Sequence, residues 1–178
     1  EQQTAVLFAI SELTNTSDNM ATFYKSLHKE IGTLIHADNF YVALLSPDKK
    51  FLHFPYHVDE TGAAAERRRV SRGLTEYVIR QQRPVFINGR HRQQLIEDGE
   101  VTPGTGGGKL AKQWLGSPLM LKGEVFGVIA VQTYDSEFLY RNDDLELLNF
   151  VSQHVAVAID RKRSAEEIQR VNSFLEKK

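Results

Sequence analysis

The chain contains no cysteine in its 178 residues. This absence excludes disulfide bonds, thiol nucleophiles, thiolate metal sites and any cofactor attached through a thioether. It also fits a reducing compartment, so we expect a cytoplasmic protein. Long apolar runs are missing as well, because none approaches the roughly 20 residues that span a membrane.

A strong charge of one sign is also lacking. Lys and Arg together number 22 and Asp and Glu 23, which leaves a formal net charge of −1. Such a balance gives no global field that attracts nucleic acid or an anionic membrane. The length of 178 residues, with 41% apolar residues, indicates a single globular domain.

Catalytic signatures are absent from the sequence. His53 and His57 are four positions apart, but Pro55 interrupts the segment, which is not an HExxH helix. No serine stands in a G-x-S-x-G turn. The glycine-rich residues 103–109 fail the phosphate-loop spacing, since Leu110 stands where Ser or Thr should hold magnesium. We therefore predict no enzyme and no metal site, and a mobile loop at 103–109.

Hydrophobic periodicity predicts an α+β fold. The apolar spacing predicts helices over 4–14, 20–35 and 74–82 and from Asp143 onward, and strands over 39–45, 51–56, 84–87, 114–121 and 125–134. Hairpins dominate this order, so the sheet should be mainly antiparallel. Because Pro55 has no ladder donor, its strand should lie at a sheet edge or break there.

Two segments, 57–72 and 89–109, read as loops. The first contains a basic run, Arg67 to Arg69 and Arg72, directly before the predicted helix at 74–82. Two interpretations of this run stay open. It is either a solvated loop or an anion site, where guanidinium groups and helix amides bind a phosphate or carboxylate.

Six segments resemble, in order, the successive elements of a GAF domain, over roughly residues 4–162. They are residues 37–44 (ADNFYVAL), 54–60 (FPYHVDE), 72–78 (RGLTEYV), 114–119 (WLGSPL), 127–132 (GVIAVQ) and 143–148 (DDLELL). The resemblance is to the subgroup found in bacterial sensor kinases and in diguanylate cyclase and cyclic-di-GMP signalling proteins.

The resemblance implies a profilin-like or PAS-like central antiparallel sheet of five or six strands. Three helices would pack on one face, and loops would close a small-molecule pocket on the other. Members are usually sensory or dimerisation modules rather than catalysts. Covalent bilin attachment and free methionine sulfoxide reduction both need cysteine in this family, so neither fits this chain. No cofactor is predicted, although an unidentified small-molecule ligand fits the resemblance.

Strand alternation selects the candidate ligand-binding residues. It places Phe40, Val42 and Leu44 on the core face of their strand, and Tyr41 with Ala43 on the pocket face. On the returning strand, Phe54 and Tyr56 are expected to share a face. The complete predicted ligand-binding set is Tyr41, Ala43, Phe54, Tyr56, Asp59, Thr75, Trp114 and Ser117. The alternative is that these aromatic side chains are plain core.

The two ends of the chain suggest a homodimer through terminal helices. Val6, Ile10 and Leu13 near the start, and Ile168, Val171 and Leu175 near the end, recur at heptad-like spacing. The alternatives are that the first stripe packs on its own sheet and that the second is too short for a coiled coil.

We expect residues 1–162 to form one domain, with residues 1–16 as an N-terminal helix, and residues 163–178 to begin a signalling helix. The sequence contains neither a Gly-Gly-Asp/Glu-Glu-Phe cyclase loop nor a kinase phosphoacceptor motif, so an output module is expected beyond it. The predicted function is a non-covalent small-molecule sensor that controls a diguanylate cyclase or histidine kinase. The alternative is a ligand-free module for dimerisation or protein interaction.

Overall fold

The computed structural model describes residues 2–104 and 109–177, which form five helices and six strands. The helices are α1 (Gln2–Thr16), α2 (Met20–Gly32), α3 (Leu74–Gln81), α4 (Gly89–Glu97) and α5 (Asn142–Glu176). The strands are β1 (Asn39–Leu45), β2 (Phe51–Val58), β3 (Arg68–Arg69), β4 (Val85–Asn88), β5 (Gln113–Leu121) and β6 (Glu124–Thr133). Local signals fix several of these bounds: Asn19, for example, accepts a 2.9 Å bond from Thr22 N and caps α2.

The strands form one antiparallel sheet in the order β3-β2-β1-β6-β5-β4. The predicted α+β class with a six-stranded sheet is therefore confirmed. Strand β1 lies inside the sheet, where Tyr41 pairs with Ala130 on β6 and with His57 on β2. Its central place explains why nearly every side chain of β1 is buried.

Helices α1, α2 and α5 cover one face of the sheet, which we call the helix face. Its core contains Phe40, Val42 and Leu44 of β1, as their alternation predicts. The apolar stripes of the three helices complete it, and α5 packs along β5 while α1 packs on α5. Burial of this continuous apolar cluster is the main driving force for the fold.

The opposite face, which we call the α3 face, is covered by α3 and α4 rather than by loops alone. Its separate core includes Tyr77 and Val78 of α3, Leu95 of α4 and Trp114 of β5. Helix α4 was not predicted. It is polar apart from Leu95 and Ile96, so its apolar periodicity is too weak to show. Strand β3 was also missed, because two arginines carry no strand signal.

The last helix runs well past the core. Lys162 is its final buried residue, and the Lys162 ammonium donates a 2.6 Å hydrogen bond to the carbonyl of Ser17, just after α1. The following residues, 163–177, are mostly exposed. In the part of the chain that the structure describes, no helix is both long and apolar enough to cross a bilayer.

Candidate functional site

Tyr41 occupies the centre of the α3 face. Its hydroxyl lies 2.7 Å from Thr75 Oγ1, and the Trp114 side chain hydrogen-bonds the same hydroxyl. Burial raises the pKa of Tyr41 to about 12, although both hydrogen bonds act in the opposite direction. Tyr41 is therefore a neutral phenol at physiological pH, and its hydroxyl is held by groups from two other elements, α3 and β5.

Aromatic rings surround Tyr41. The Phe54 ring meets it edge-on at 5.7 Å between centroids, and the His57 ring stacks on it at 5.6 Å. Trp114 lies over Gly116 on its own strand, so that a Cβ at Gly116 would lie 2.6 Å from ring atom Cζ3. Only glycine allows this packing, and it leaves Trp114 2% exposed.

A buried ion pair lies beside the tyrosine. Glu76 is 2% exposed and pairs with both terminal nitrogens of Arg68, one of them at 3.0 Å. The Glu76 carboxylate also accepts 2.7 and 3.1 Å bonds from the backbone N and hydroxyl of Ser71. Burial alone would raise the pKa of Glu76, but these donors outweigh it and leave that pKa below its ordinary value.

For Arg68 and Arg72, the contacts in the structure argue against the anion-site interpretation of the basic run. The anion bound near the start of α3 is the chain's own Glu76 carboxylate, held by Arg68. Arg72 donates instead to the carbonyl of Gly99, at 2.9 and 3.1 Å. Neither side chain is free for an external anion in this position.

His57 contributes an unused acceptor or donor. Its Nδ1 is buried, and no other buried side-chain nitrogen or oxygen in residues 2–104 and 109–177 lacks a hydrogen-bond partner. Burial lowers the pKa of His57 below its ordinary 6.5, and the Asp59 carboxylate offsets this in part. The ring is therefore neutral at pH 7, and Nδ1 can accept or donate one hydrogen bond according to its tautomer.

The structure brings together five of the eight predicted ligand-binding residues on the α3 face. They are Tyr41, Ala43, Phe54, Thr75 and Trp114. Ala43 is fully buried there opposite Val128. Their ligand-binding role stays a prediction.

Tyr56 lies on the helix face, so the expectation that it shares a face with Phe54 is wrong. Its hydroxyl is 2.7 Å from His28 Nδ1, and its ring packs near Tyr24 and Phe40. The cause is a bulge: β2 has one residue more than β1 between the pairs Val42–Tyr56 and Leu44–His53. The bulge falls at Pro55, in the part of β2 that lies beyond its pairing with β3.

Ser117 also belongs to the helix face. Its hydroxyl lies 2.9 Å from Ser152 Oγ on α5. Three positions separate Ser117 from Trp114 on β5, and an odd separation places two strand residues on opposite faces. The two could not line one pocket.

Asp59 directly follows β2, and its carboxylate acts on the neighbouring His57. Its carboxylate accepts bonds from Gln132 Nε2 at 2.9 Å and from the Tyr134 hydroxyl at 2.8 Å. Burial opposes ionisation of Asp59, but these donors and Thr61 hold its pKa below the ordinary value. Asp59 therefore fastens the chain after β2 to β6.

Sequence reasoning missed three members of the site: His57, Glu76 and Arg68. The sequence pattern assigns His57 no role, although its register partner on β1 is Tyr41. Glu76 and Arg68 pair over eight positions, and no sequence periodicity predicts that contact. The predicted absence of a metal site stays a prediction, although the described residues contain no cluster of three or more potential ligands. The glycine-rich loop prediction falls partly on residues 105–108, outside the described residues.

The predicted dimer residues divide into two groups. Val6, Ile10 and Leu13 are at most 8% exposed and pack in the core of their own chain, so they are not available to a partner. Ile168, Val171 and Leu175 are 45–62% exposed. A stripe at spacings of three and four residues, which we call the α5 seam, extends this second group back into the domain. It consists of Phe150, His154, Val157, Arg161, Ser164, Ile168, Val171 and Leu175, all exposed.

Sequence comparison adds a family and one relative. The profile described as GAF domain matches residues 17–160. The formate hydrogenlyase transcriptional activator FhlA of Escherichia coli is 25% identical over 174 residues, which cover 96% of this chain and 25% of FhlA. The chain thus spans about a quarter of the length of this relative.

Solved structures share the fold. The GAF domain of an Acinetobacter phosphoenolpyruvate-protein phosphotransferase superposes with a TM-score of 0.70 at 16% identity, over 92% of this chain and 96% of that one. The corresponding domain from Coxiella burnetii gives 0.70 at 15% identity, over 93% and 97%.

Proposed function

The chain belongs to the GAF domain family, and on that premise we propose that it is a regulatory sensor module. It binds a small molecule non-covalently on the α3 face and controls an output module through α5. This is a regulatory role, and we propose no catalytic step for the chain. The hydrogen-bonded group of Tyr41, Thr75 and Trp114, enclosed by aromatic rings beside the free Nδ1 of His57, carries the proposal.

The chemistry of the α3 face limits the ligand. Tyr41 and His57 are neutral, and Arg68 balances the charge of Glu76. A charged ligand would lose its hydration there without a partner of opposite charge. We therefore propose an uncharged polar ligand with an aromatic or planar apolar part, which hydrogen-bonds His57 Nδ1 and stacks on the rings. Trp114 fills the interior, so its ring has to move when the ligand binds.

Helix α5 is the proposed output element. Its seam residues recur every 3.5 positions on average, the repeat of a left-handed coiled coil. They lie on the side of α5 opposite its core stripe of Leu148, Val151, Val155 and Ile159. We propose that two copies pair in parallel along this seam, and that residues 163–178 begin the signalling helix after a domain of residues 1–162.

The output module is proposed by analogy. The subgroup that the sequence resembles suggests a histidine kinase or diguanylate cyclase in a cyclic-di-GMP or two-component pathway. The similarity to FhlA adds a transcriptional activator as a further candidate. In each case we propose a cytoplasmic module.

A thermal-shift screen against metabolites and nucleotides tests the sensor proposal. We expect at least one uncharged compound to raise the Tm, and the Tyr41→Phe variant to lose that shift. Tyr56→Phe is the matched control: it also removes a hydrogen-bonded hydroxyl, but on the helix face, so the shift should persist. An equal loss in both variants, or no shift with any compound, would contradict ligand binding on the α3 face.

A ligand-free module for dimerisation or protein interaction is the second candidate. One observation favours it: the interior of the α3 face is filled by side chains, with Trp114 and Tyr77 at 2% and 7% exposure. Sedimentation at two concentrations separates the candidates. A concentration-dependent dimer together with a screen in which no compound shifts the Tm supports this alternative.

A further inference from the structure

The edge of the sheet at β3 carries a surface that the sensor role does not use. We call it the basic corner and define it by Lys50, Phe51, His53, Arg67 and Arg69. The Arg67 guanidinium carbon lies 3.9 Å from the centroid of the Phe51 ring, and that of Arg69 lies 5.1 Å from it. Arg68, between them, turns the other way to reach Glu76.

The cations of the corner have no opposite charge bound to them. Lys50, Arg67 and Arg69 are exposed and form no ion pair within residues 2–104 and 109–177. Asp48 is a neighbouring acid whose charge acts on Arg67 without forming an ion pair, and its carboxylate accepts bonds from Ser46 Oγ at 2.6 Å and from Lys50 N at 3.0 Å. Arg67 also approaches His53 Nε2 at 3.5 Å. The surface keeps an excess of positive charge in a chain whose net charge is −1.

The phenyl ring orders both guanidinium groups. A guanidinium stacked on an aromatic ring keeps its N–H edges free for hydrogen bonding. Part of the side-chain entropy that binding normally costs is then already lost. Each arginine can bind a carboxylate through two parallel hydrogen bonds.

We propose that the basic corner binds an extended acidic segment of a partner protein. The guanidinium carbons of Arg67 and Arg69 both lie within 5.1 Å of the Phe51 centroid, a spacing that alternate side chains of an extended peptide, about 6.6 Å apart, can reach. Carboxylates at positions i and i+2 of such a segment would meet the two guanidinium groups. Lys50, whose carbonyl accepts a 2.8 Å bond from Val70 N, adds a third cation beside them.

The small size of the corner argues against nucleic acid. Proteins that bind a phosphate backbone can make about six to ten phosphate contacts, and the corner offers fewer cations than that. A protein segment needs only a few carboxylates.

Fluorescence anisotropy with a labelled peptide of alternating Glu and Ser tests the proposal. We expect binding that weakens steeply between about 50 and about 200 mM salt. The double variant Arg67→Gln/Arg69→Gln should weaken it by about tenfold or more. Arg83→Gln/Arg90→Gln is the matched control, because both arginines are exposed and form no ion pair in the described residues. A peptide of alternating Gln and Ser should not bind.

Three outcomes would overturn the proposal. One is equal weakening by the two double variants, which means non-specific attraction. Another is that a single-stranded oligonucleotide binds more tightly than the acidic peptide and that the Arg67→Gln/Arg69→Gln variant loses this oligonucleotide binding. In the third outcome, no peptide binds to the wild type, and the Arg67→Gln/Arg69→Gln variant self-associates. This result would mean that the two arginines only prevent the sheet edge from pairing with other chains. The Arg67→Gln/Arg69→Gln variant keeps the Arg68–Glu76 pair. A thermal unfolding transition like that of the wild type would confirm that the variant is folded.

Discussion

The hydroxyl of Tyr41 and Oγ1 of Thr75 lie 2.7 Å apart and join β1 to the first turn of α3. Tyr41 is thus both the centre of the α3 face and a link between the sheet and the helix that covers it. Its hydroxyl hydrogen-bonds the buried side chains of Thr75 and Trp114, so its removal leaves both without that partner. Stability and the proposed ligand recognition therefore depend on the same atoms.

Tyr41→Phe should lower the free energy of unfolding by about 1–2 kcal/mol, because Thr75 and Trp114 each lose a hydrogen-bond partner in a buried site. Chemical denaturation measures the change. In a double-mutant cycle with Thr75→Val, the two losses should sum to more than the loss in the double variant, since removing both partners leaves fewer unsatisfied groups. Additive losses would show that the two hydroxyls do not interact.

Gly116→Ala should destabilise the protein by about 1–3 kcal/mol through overpacking, because the new methyl group overlaps the Trp114 ring. Trp114 is the single tryptophan, so its emission reports the displacement directly. We expect a red shift and easier quenching by iodide. Gly32→Ala is the control, since a Cβ there meets nothing within 4 Å and the emission should stay unchanged. Unchanged emission in Gly116→Ala would contradict the described packing.

The Glu76–Arg68 pair predicts a loss of stability in acid. The pKa of Glu76 is lowered in the folded state, so its contribution is fully present above the ordinary value of 4.5 and is lost as the pH falls through the folded pKa. At pH 7, Glu76→Gln should cost about 2 kcal/mol, because Arg68 loses its charged partner. As the pH falls below the ordinary value of 4.5, the difference between wild type and Glu76→Gln should shrink.

Urea unfolding at several pH values measures this difference. Glu124→Gln serves as a control, because Glu124 is exposed and forms no ion pair among the described residues. It should track the wild type throughout. A difference between wild type and Glu76→Gln that stays constant from pH 7 to about pH 3 would mean that Glu76 keeps its ordinary pKa.

How much of the site follows from the sequence differs from strand to strand. On β1 the alternation is unbroken. It correctly places Tyr41 on one face of the sheet and Phe40 and Val42 on the other. On β2 the bulge at Pro55 reverses the alternation, which moves Tyr56 to the helix face. A proline marks where such a bulge is possible, but only the pairing with β1 shows that the extra residue is accommodated there.

The helices show the same limit. The order of elements and hairpins predicts the α+β sheet, because periodicity is a local property of the chain. Whether an apolar stripe faces its own core or a partner depends on tertiary packing. For that reason Val6 and Ile10, buried under α5, and the exposed Ile168 and Val171 look alike in the sequence. The sequence analysis does not assign Phe150 and Val157 to the seam. The core residues Val151 and Val155 of α5 lie between them in the sequence, so the two sets of apolar residues overlap there.

The central claim, that α5 pairs in parallel with a second copy along its seam, is tested most directly by cysteine cross-linking, since the natural chain has no cysteine. Ser164 lies in the seam, whereas Ser173 is exposed on the side of the same helix that faces away from the seam. In a parallel pair, the two copies of residue 164 would have Cα atoms about 6 Å apart, within disulfide range. The claim predicts that, under mild oxidation, Ser164→Cys forms a disulfide-linked dimer and Ser173→Cys does not. Equal cross-linking of both variants, or none in Ser164→Cys, would contradict it.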